Sequence, residues 1–536
     1  MLSAWRITPQ QGFARRWPGL LFIGISLLVI SLDNTVLNVA LPAIARTLNA
    51  SLSDLQWIVD AYILVFAALL LTMGGLGDRY GRKKTLQIGL LLFAAGSLAA
   101  ALSTSTALLI ASRAFLGIGG ALIMPSTLSI LTATFADEER PRAVAIWAAI
   151  FGLGVGVGPL IGGWLLQYFE WSAVFYVNLP VIAVALLGGA LTLYDSRDEH
   201  PPQADIPGVL LSIAGLFALV YGIIRAGQES WTETNVLVAF ALAAVLLALF
   251  AWWENRNPDA MLPLYLFKNP SFTGASVTLT FVMFSLFGSL FFVSQYLQTV
   301  QGYTALEAGI RILPIAVTLA IFSALSARVA QRFGTKRTVA AGIMIAALGL
   351  LLMSQIFRVD TPYWMIAVTQ AVLATGMGLA VSPVTNSVMG AVPLQRAGIG
   401  SAMNDTTRQL GGALGVAVLG TIMNTLYQSG VQSLEGAIPV PAALAERARQ
   451  AFEAIQSSVQ AAHIVAEQIR ALPVAPEGAA DTIINTANAA FVAGMDRALL
   501  VGAITMLAGA LFALVVLPAQ VQRSPEFAER AQAASD

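Results

Sequence analysis

The sequence contains no cysteine and only two histidines, His200 and His463, and charged residues make up 11% of its 536 positions. Without cysteine there are no disulfides, no thiolate metal sites and no cysteine nucleophile. Two histidines leave little from which to build a histidine metal site. The charge deficit is the largest departure, because soluble proteins carry about 25% charged residues. With 57% of the chain hydrophobic, too few polar groups remain to cover a soluble body of this length. The 29 basic and 29 acidic residues cancel, so no global positive field exists to hold nucleic acid. No phosphate-cradling Walker loop is present, which excludes ATP as a driving force. With no histidine cluster or nucleophile motif either, a membrane enzyme is the least supported class.

What is present is a series of apolar blocks of about 20 residues, the length a helix needs to cross about 30 Å of hydrocarbon. They do not alternate as strands of an outer-membrane barrel do. Fourteen spans are expected, at roughly 18–42, 55–76, 85–103, 106–133, 143–167, 172–194, 207–227, 235–254, 271–298, 307–329, 338–357, 363–391, 398–427 and 497–518. The first is too long for a signal-peptide core and carries Asp33, so it reads as an uncleaved span. Arg15, Arg16, Arg79, Arg82, Lys83, Lys84, Arg140, Arg142, Lys336 and Arg337 collect on one side, which predicts that both termini are cytoplasmic. Trp17, Trp57, Trp171, Trp231, Trp252 and Trp364 fall near span ends, as an interfacial aromatic belt would.

The chain repeats itself. Asp78-Arg79-Tyr80-Gly81-Arg82-Lys83-Lys84 follows the second span, and Gln331-Arg332-Phe333-Gly334-Thr335-Lys336-Arg337 follows the tenth, at an offset of 253 residues (78 to 331). The same offset carries Gly158 and Gly162 onto Gly411 and Gly415. Spans one to six therefore correspond to spans nine to fourteen. The expected organisation is an N-terminal six-helix bundle (1–194), two inserted helices with linkers (195–269) and a C-terminal six-helix bundle (270–536). Such parallel repeats with a midplane site between them are an alternating-access plan.

Several segments carry a family resemblance. They are Gly74-Gly75-Leu76-Gly77-Asp78-Arg79-Tyr80-Gly81-Arg82-Lys83-Lys84, then Leu32-Asp33-Asn34-Thr35-Val36-Leu37-Asn38-Val39-Ala40-Leu41-Pro42, and Trp57, Asp60 and Tyr62. Arg113 with Gly117, Gly119 and Gly120, and Gly154, Gly158, Pro159, Gly162 and Gly163, complete the set. In these segments the sequence resembles the major facilitator superfamily, specifically its 14-helix drug–proton antiporters. Leu116 stands where the family usually has glutamine. The resemblance implies an all-α polytopic membrane protein of major facilitator fold. It implies uptake of protons in exchange for expelled hydrophobic, often cationic, compounds, with no cofactor beyond the proton gradient. A bacterial cytoplasmic membrane is the expected location and a monomer the expected state.

Within this frame Asp33 is the first candidate for coupling, because a carboxylate in hydrocarbon is costly and functional by default. One carboxylate that both takes the proton and neutralises a cationic drug is the simplest exchange mechanism; a structural hydrogen bond to Asn34 or Asn38 is the rival. Arg113 needs a counter-ion, which either Asp33 or Asp60 could supply. The 78–84 loop reads as a topology anchor or as a gate, in which Asp78 caps a neighbouring helix or pairs with an arginine such as Arg142. Gly81 permits the tight turn. Gly154, Gly158 and Gly162 share a helix face that a helix of the opposite half could approach closely, and Pro159 kinks that helix. In the second half, the spacings of Glu307 with Arg311 and of Asp405 with Arg408 permit local pairing. Asp405 is the deeper of these and the better substrate contact. Tyr62, Phe66, Phe281, Phe284, Phe291, Phe292, Met377 and Met389 are candidates to line an apolar cavity.

The polar stretch 428–496 is expected outside the membrane. Leu444, Ala448, Phe452, Ile455, Val459, Ala462, Val465 and Ile469 recur at helical spacing. With Pro473 and Pro476 ending that helix, a hairpin with a second helix near 479–495 follows; His463 is expected at its surface. Whether an outer adaptor protein joins this loop stays open. The rivals to multidrug export are a dedicated exporter of one solute, such as an antibiotic, an amino acid or a lipid, and a membrane receptor or scaffold.

Overall fold

The computed structural model describes residues 7–48, 50, 52–198, 205–434, 445–471 and 478–520. Fourteen helices among them are long and apolar enough to span a membrane. We number the long helices α1 (Arg16–Leu48), α2 (Leu52–Tyr80), α3 (Arg82–Ala101), α4 (Thr106–Thr134), α5 (Arg140–Tyr168), α6 (Asn178–Thr192), α7 (Ile206–Gln228), α8 (Thr234–Glu254), α9 (Pro270–Gln295), α10 (Ala305–Phe333), α11 (Thr335–Ile356), α12 (Tyr363–Gly390), α13 (Ala397–Val431), α14 (Ala445–Ser457), α15 (Val459–Arg470) and α16 (Ala479–Val516). A single π turn, Tyr296–Val300, extends α9.

The helices pack as two six-helix bundles. In the first, α1 lies on α5 and α6, and α4 lies on α2 and α3; in the second, α9 lies on α13 and α16, and α12 on α10 and α11. The repeat read from sequence extends to the packing glycines. Gly89 and Gly342 are 253 apart, as are Gly96 and Gly349. A Cβ on Gly89 would come within 3.0 Å of the Gly119 carbonyl oxygen, and one on Gly342 within 2.8 Å of that of Gly376. Without side chains at these points α3 and α11 approach the backbones of their neighbours directly, the packing that lipid-embedded helices depend on. The inserted pair α7 and α8 pack on each other, and α7 also lies against both α2 and α13.

The outer segment differs from the expected hairpin. The helical stretch is broken at Ser458, which is extended and accepts the Ala461 N–H with its hydroxyl at 3.2 Å, so two short helices α14 and α15 form. The second arm is not a separate helix: residues 479–495 run without interruption into the last span as α16. Ile455, Val459, Ala462 and Val465 are buried in one cluster with Ile483, Ala487 and Phe491 of α16. The hairpin thus extends the core of the second bundle. His463 is half-buried and bridges α15 to α16 through Asn488, at 2.8 Å. Leu444, Pro473 and Pro476 lie outside the described residues.

Gly81 and Gly334 join α2 to α3 and α10 to α11, with φ of +115° and +84°. Both turns must reverse the chain within one residue, in a region that only glycine enters readily. At Gly81 a Cβ would also stand 2.5 Å from Asp195 Oδ1. Gly81→Ala is therefore expected to destabilise by about 1–3 kcal/mol. Gly302→Ala, at φ +70° with nothing within 4 Å, is expected to cost about 1 kcal/mol. Thermal unfolding of the two variants in detergent, followed by size exclusion, checks the ranking; equal midpoints would refute it.

Candidate functional site

The polar groups buried between the helices fall into three sets. The first lies inside the N-terminal bundle. Arg113 of α4 and Asp33 of α1 form an ion pair at 2.5 Å, and each side chain is 1% exposed. Arg113 Nε donates to the Ile58 carbonyl at 3.0 Å, and its guanidinium lies 4.5 Å from the centroid of the Tyr62 ring. The other carboxylate oxygen of Asp33 accepts from Asn178 Nδ2 of α6 at 3.1 Å, and Asn178 also donates to Ser97 at 2.9 Å. Five helices, α1, α2, α3, α4 and α6, thus meet in one hydrogen-bonded cluster. The counter-ion of Arg113 is Asp33 and not Asp60. Asp60 faces the other way and accepts from Gln228 of α7 at 2.5 Å. Asn178 had no signature in the sequence; only the return of α6 onto α1 brings it here.

The second set closes the end that carries the 78–84 loop. Asp78 accepts the N–H groups of Gly398 and Ile399, at 2.8 and 3.1 Å, in the first turn of α13 in the opposite bundle. Arg82 donates to Asp78 at 2.7 Å and to the Leu394 and Gln395 carbonyls at 2.6 and 3.1 Å. A carboxylate at a helix N-terminus is favoured by the unpaired N–H groups and the helix dipole. Arg142, the alternative partner for Asp78, instead stacks on Trp17 at 5.0 Å. Arg79 lies over Tyr80 at 5.6 Å, outside this latch. A Cβ on Gly74 would stand 2.4 Å from the Gly398 carbonyl oxygen, so α2 and α13 touch backbone to backbone beside the latch.

The third set lies on α13 at the interface between bundles. Asp405 is fully buried; one oxygen accepts from Asn404 at 3.2 Å, and Oδ2 has no hydrogen-bond partner among the described residues. Arg408, 3% exposed, does not close on Asp405 within ion-pair distance. It reaches across to α5, where its guanidinium lies 4.3 Å from the Phe151 ring centroid and 5.4 Å from that of Trp147, with Nη1 unpartnered. The expected self-satisfied pair is thus opened by the two rings.

Two further expectations are corrected. Gly154, Gly158 and Gly162 face α1 of their own bundle, where Cβ atoms on them would meet Ser31, Thr35 and Val36. The face toward α10 carries Gly152, Gly156 and Gly163, opposite Leu319, Ala316 and Leu306, and Pro159 packs against Gly309. Two residues turn a helix by about 200°, so the ladder two positions out of phase makes the contact between bundles. Glu307 is taken up in a capping box with Thr304, while Arg311 donates to the Glu307 carbonyl at 3.2 Å and stacks on Tyr303 at 3.7 Å. Of the aromatic and methionine candidates, Tyr62, Phe66, Phe292, Met377 and Met389 are packed within the bundles, and Phe291 is exposed.

Comparisons with known proteins agree with this architecture. The sequence profile of the Major Facilitator Superfamily matches residues 23–416. The chain is 33% identical over 525 residues to the tetracenomycin C resistance and export protein of Streptomyces glaucescens, covering 97% of this chain and 95% of that protein. It is 36% identical over 497 residues to the multidrug efflux pump LfrA of Mycolicibacterium smegmatis, covering 92% and 95%. Among solved structures, the proton:xylose symporter XylE superposes with a TM-score of 0.60 at 13% identity, over 95% of this chain and 97% of that one. The human organic anion transporter MFSD10 superposes with a TM-score of 0.55 at 14% identity, over 94% and 100%. At these identities the two structures speak to the fold.

The latch yields a direct test. Asp78→Ala leaves Arg82 buried without its carboxylate, a change that costs about 3–5 kcal/mol for a buried pair. The chain has no cysteine, so Ser401→Cys, near-isosteric and fully buried beside the latch, can report alone. Its labelling by a water-soluble maleimide is expected to speed up by about tenfold or more when Asp78→Ala is added. An unchanged rate would show that Asp78 does not hold this end shut.

Proposed function

Because the chain belongs to the Major Facilitator Superfamily, we propose that it expels hydrophobic, often cationic, compounds across a bacterial cytoplasmic membrane in exchange for protons. It is a multi-pass membrane transporter rather than an enzyme, and its relatives are drug and antibiotic efflux proteins. Proton coupling, a monomeric state and cytoplasmic termini are our reading. The observation that carries it is a division of labour between two buried carboxylates.

Both oxygens of Asp33 are already engaged, one by Arg113 and one by Asn178. In this conformation Asp33 has nothing left for a drug, but it can take a proton. Protonation removes the charge that holds Arg113, which cannot itself lose its proton. The cluster joining α1, α2, α3, α4 and α6 then loosens, and α1 can shift against α5, its partner along the Gly154–Gly158–Gly162 face. The carboxylate available to substrate is Asp405. Its Oδ2 is unpartnered, and the Trp147 and Phe151 rings nearby already hold the cationic head of Arg408. Carboxylate and aromatic surface are what a lipophilic cation requires. Arg408 balances Asp405 when no drug is present, so the site need not hold a bare charge.

The exchange then runs between sites rather than on one group. Drug at Asp405 favours opening of the α2–α13 and α5–α10 seams, and proton at Asp33 resets them. The latch at Asp78 keeps one end shut meanwhile. A dedicated exporter of one antibiotic is the second reading; what favours it is the name of the Streptomyces relative, which specifies a single compound.

The test is proton release from acidified inverted vesicles on addition of lipophilic cations and neutral drugs. Wild type is expected to release protons on drug addition. Asp33→Asn is expected to abolish release while retaining cation binding to within about threefold. Asp405→Asn is expected to weaken cation binding by about tenfold or more, the scale of a lost charge-assisted contact. If Asp33→Asn leaves drug-evoked release intact, coupling through Asp33 is wrong. Should no drug in the panel move protons, a dedicated solute becomes the leading view.

A further inference from the structure

Asp60 has no part in the exchange derived above. It is half-buried on α2, toward the end that carries the hairpin. Its hydrogen bond comes from a neutral amide, Gln228, the last residue of the inserted helix α7. A narrow crevice runs along this seam, lined by Gln56, Trp57, Asp60, Tyr221, Arg225 and Gln228. Within it the Arg225 guanidinium lies 5.2 Å from the Trp57 ring centroid and 5.7 Å from that of Tyr221. Arg225 takes its carboxylate from Glu229 at 3.0 Å, the residue that caps the end of α7, and not from Asp60.

Two ring faces and an acid thus converge beside one another, and the cation between the rings is delivered by a long, rotatable side chain. A guanidinium is a flat, weakly hydrated charge. A ring pair that holds it will also hold an organic cation whose charge is spread over an aromatic or alkylated body, with Asp60 as counter-ion. A compact, strongly hydrated ion gains little there.

We propose that Trp57, Asp60 and Tyr221 form a second, peripheral site for lipophilic organic cations at the α2–α7 seam, with Arg225 as its resident occupant, displaced when ligand arrives. The seam is placed to matter. On either side of Gln228 the chain is tied to the second bundle: a Cβ on Gly227 would stand 2.9 Å from Ala417 Cα, and Trp231, past the end of α7, donates to Thr421 Oγ1 at 3.1 Å. A ligand that separates Gln228 from Asp60 acts where the inserted helix bridges α2 and α13. The proposal deepens the export reading and rests on it for its biological purpose, but binding is measurable without transport.

The experiment is equilibrium binding of tetraphenylphosphonium to the full chain in detergent. Wild type is expected to show two classes of site. In an Asp405→Asn background the peripheral class should remain. Adding Asp60→Asn or Trp57→Ala should weaken it by about tenfold, whereas Trp57→Phe, which keeps a ring face, should stay within about threefold. Arg225→Ala, which removes the occupant, should tighten it by about threefold or more. If Asp405→Asn abolishes all binding, or if the residual binding ignores Asp60→Asn and Trp57→Ala, the peripheral site does not exist and the export reading stands. Arg225→Ala weakening the residual binding would also overturn it. Absence of any tetraphenylphosphonium binding to wild type overturns the peripheral site and the cation-export reading together.

Discussion

A buried charge has no water to turn to in a bilayer, and the structure is organised around that constraint. Each ionised group inside the helical body must find a partner, a helix end or an aromatic face. Asp33 and Arg113 meet the constraint most completely: carboxylate, guanidinium, amide, carbonyl and ring face satisfy one another with almost no exposure. Removing one member leaves the other stranded in a site with no water to replace it. The Asp78–Arg82 latch obeys the same rule with different means. There the partners are the N–H groups that begin α13 and the carbonyls just before it. Because these belong to the opposite bundle, charge satisfaction and closure become one event.

The two bundles share their packing but not their polar chemistry. Gly89 and Gly342, Gly96 and Gly349, and the turn glycines Gly81 and Gly334 keep the repeat along α3 and α11 and at the turns that precede them. The charged cluster is not repeated. The position 253 residues beyond Asp33 is Leu286, and the residue seven into α12, where α4 has Arg113, is Gln370. Gln370 is buried, and neither amide atom has a partner among the described residues. The second bundle places its own acid, Asp405, on α13 at the interface between bundles. One bundle therefore holds a carboxylate with both oxygens engaged, and the other holds an acid with one oxygen unpartnered among the described residues. Geometry repeats where helices approach closely, and the buried polar groups do not.

The elements added to the twelve-helix plan extend existing surfaces. The helices α14 and α15 complete the core of the second bundle, and α16 carries that core continuously from the membrane span outward. The inserted α7 lies against both α2 and α13, so the seam between bundles on that side is a three-helix contact. On the other side α5 and α10 meet directly through Gly152, Gly156 and Gly163. The two seams therefore differ in composition: α5 and α10 meet as a pair, whereas α2 and α13 meet at Gly74 and Gly398 and are also joined by α7.

Much was legible in the sequence because hydrophobic length, turn glycines and loop charge are local properties. Fourteen spans, the repeat at 253, the buried role of Asp33 and the capping role open to Asp78 all follow from residues near one another in the chain. What could not be read were the choices made between distant helices. Asp33 rather than Asp60 neutralises Arg113 because α1 and α4 converge inside one bundle while the Asp60 face of α2 turns toward α7. Gly156 rather than Gly158 meets the opposite bundle because a two-residue step turns the helix to its other side, and both ladders look alike in sequence. Asn178 enters the cluster only through the return of α6. Arg408 leaves Asp405 for Phe151 and Trp147 because an α5 ring lies within its reach, which i and i+3 spacing on α13 does not reveal. The sequence by itself determined which segments cross the membrane and which residues are too costly to be idle there. Tertiary structure alone decided their partners, since direction around a helix and proximity between helices are set by packing of the whole.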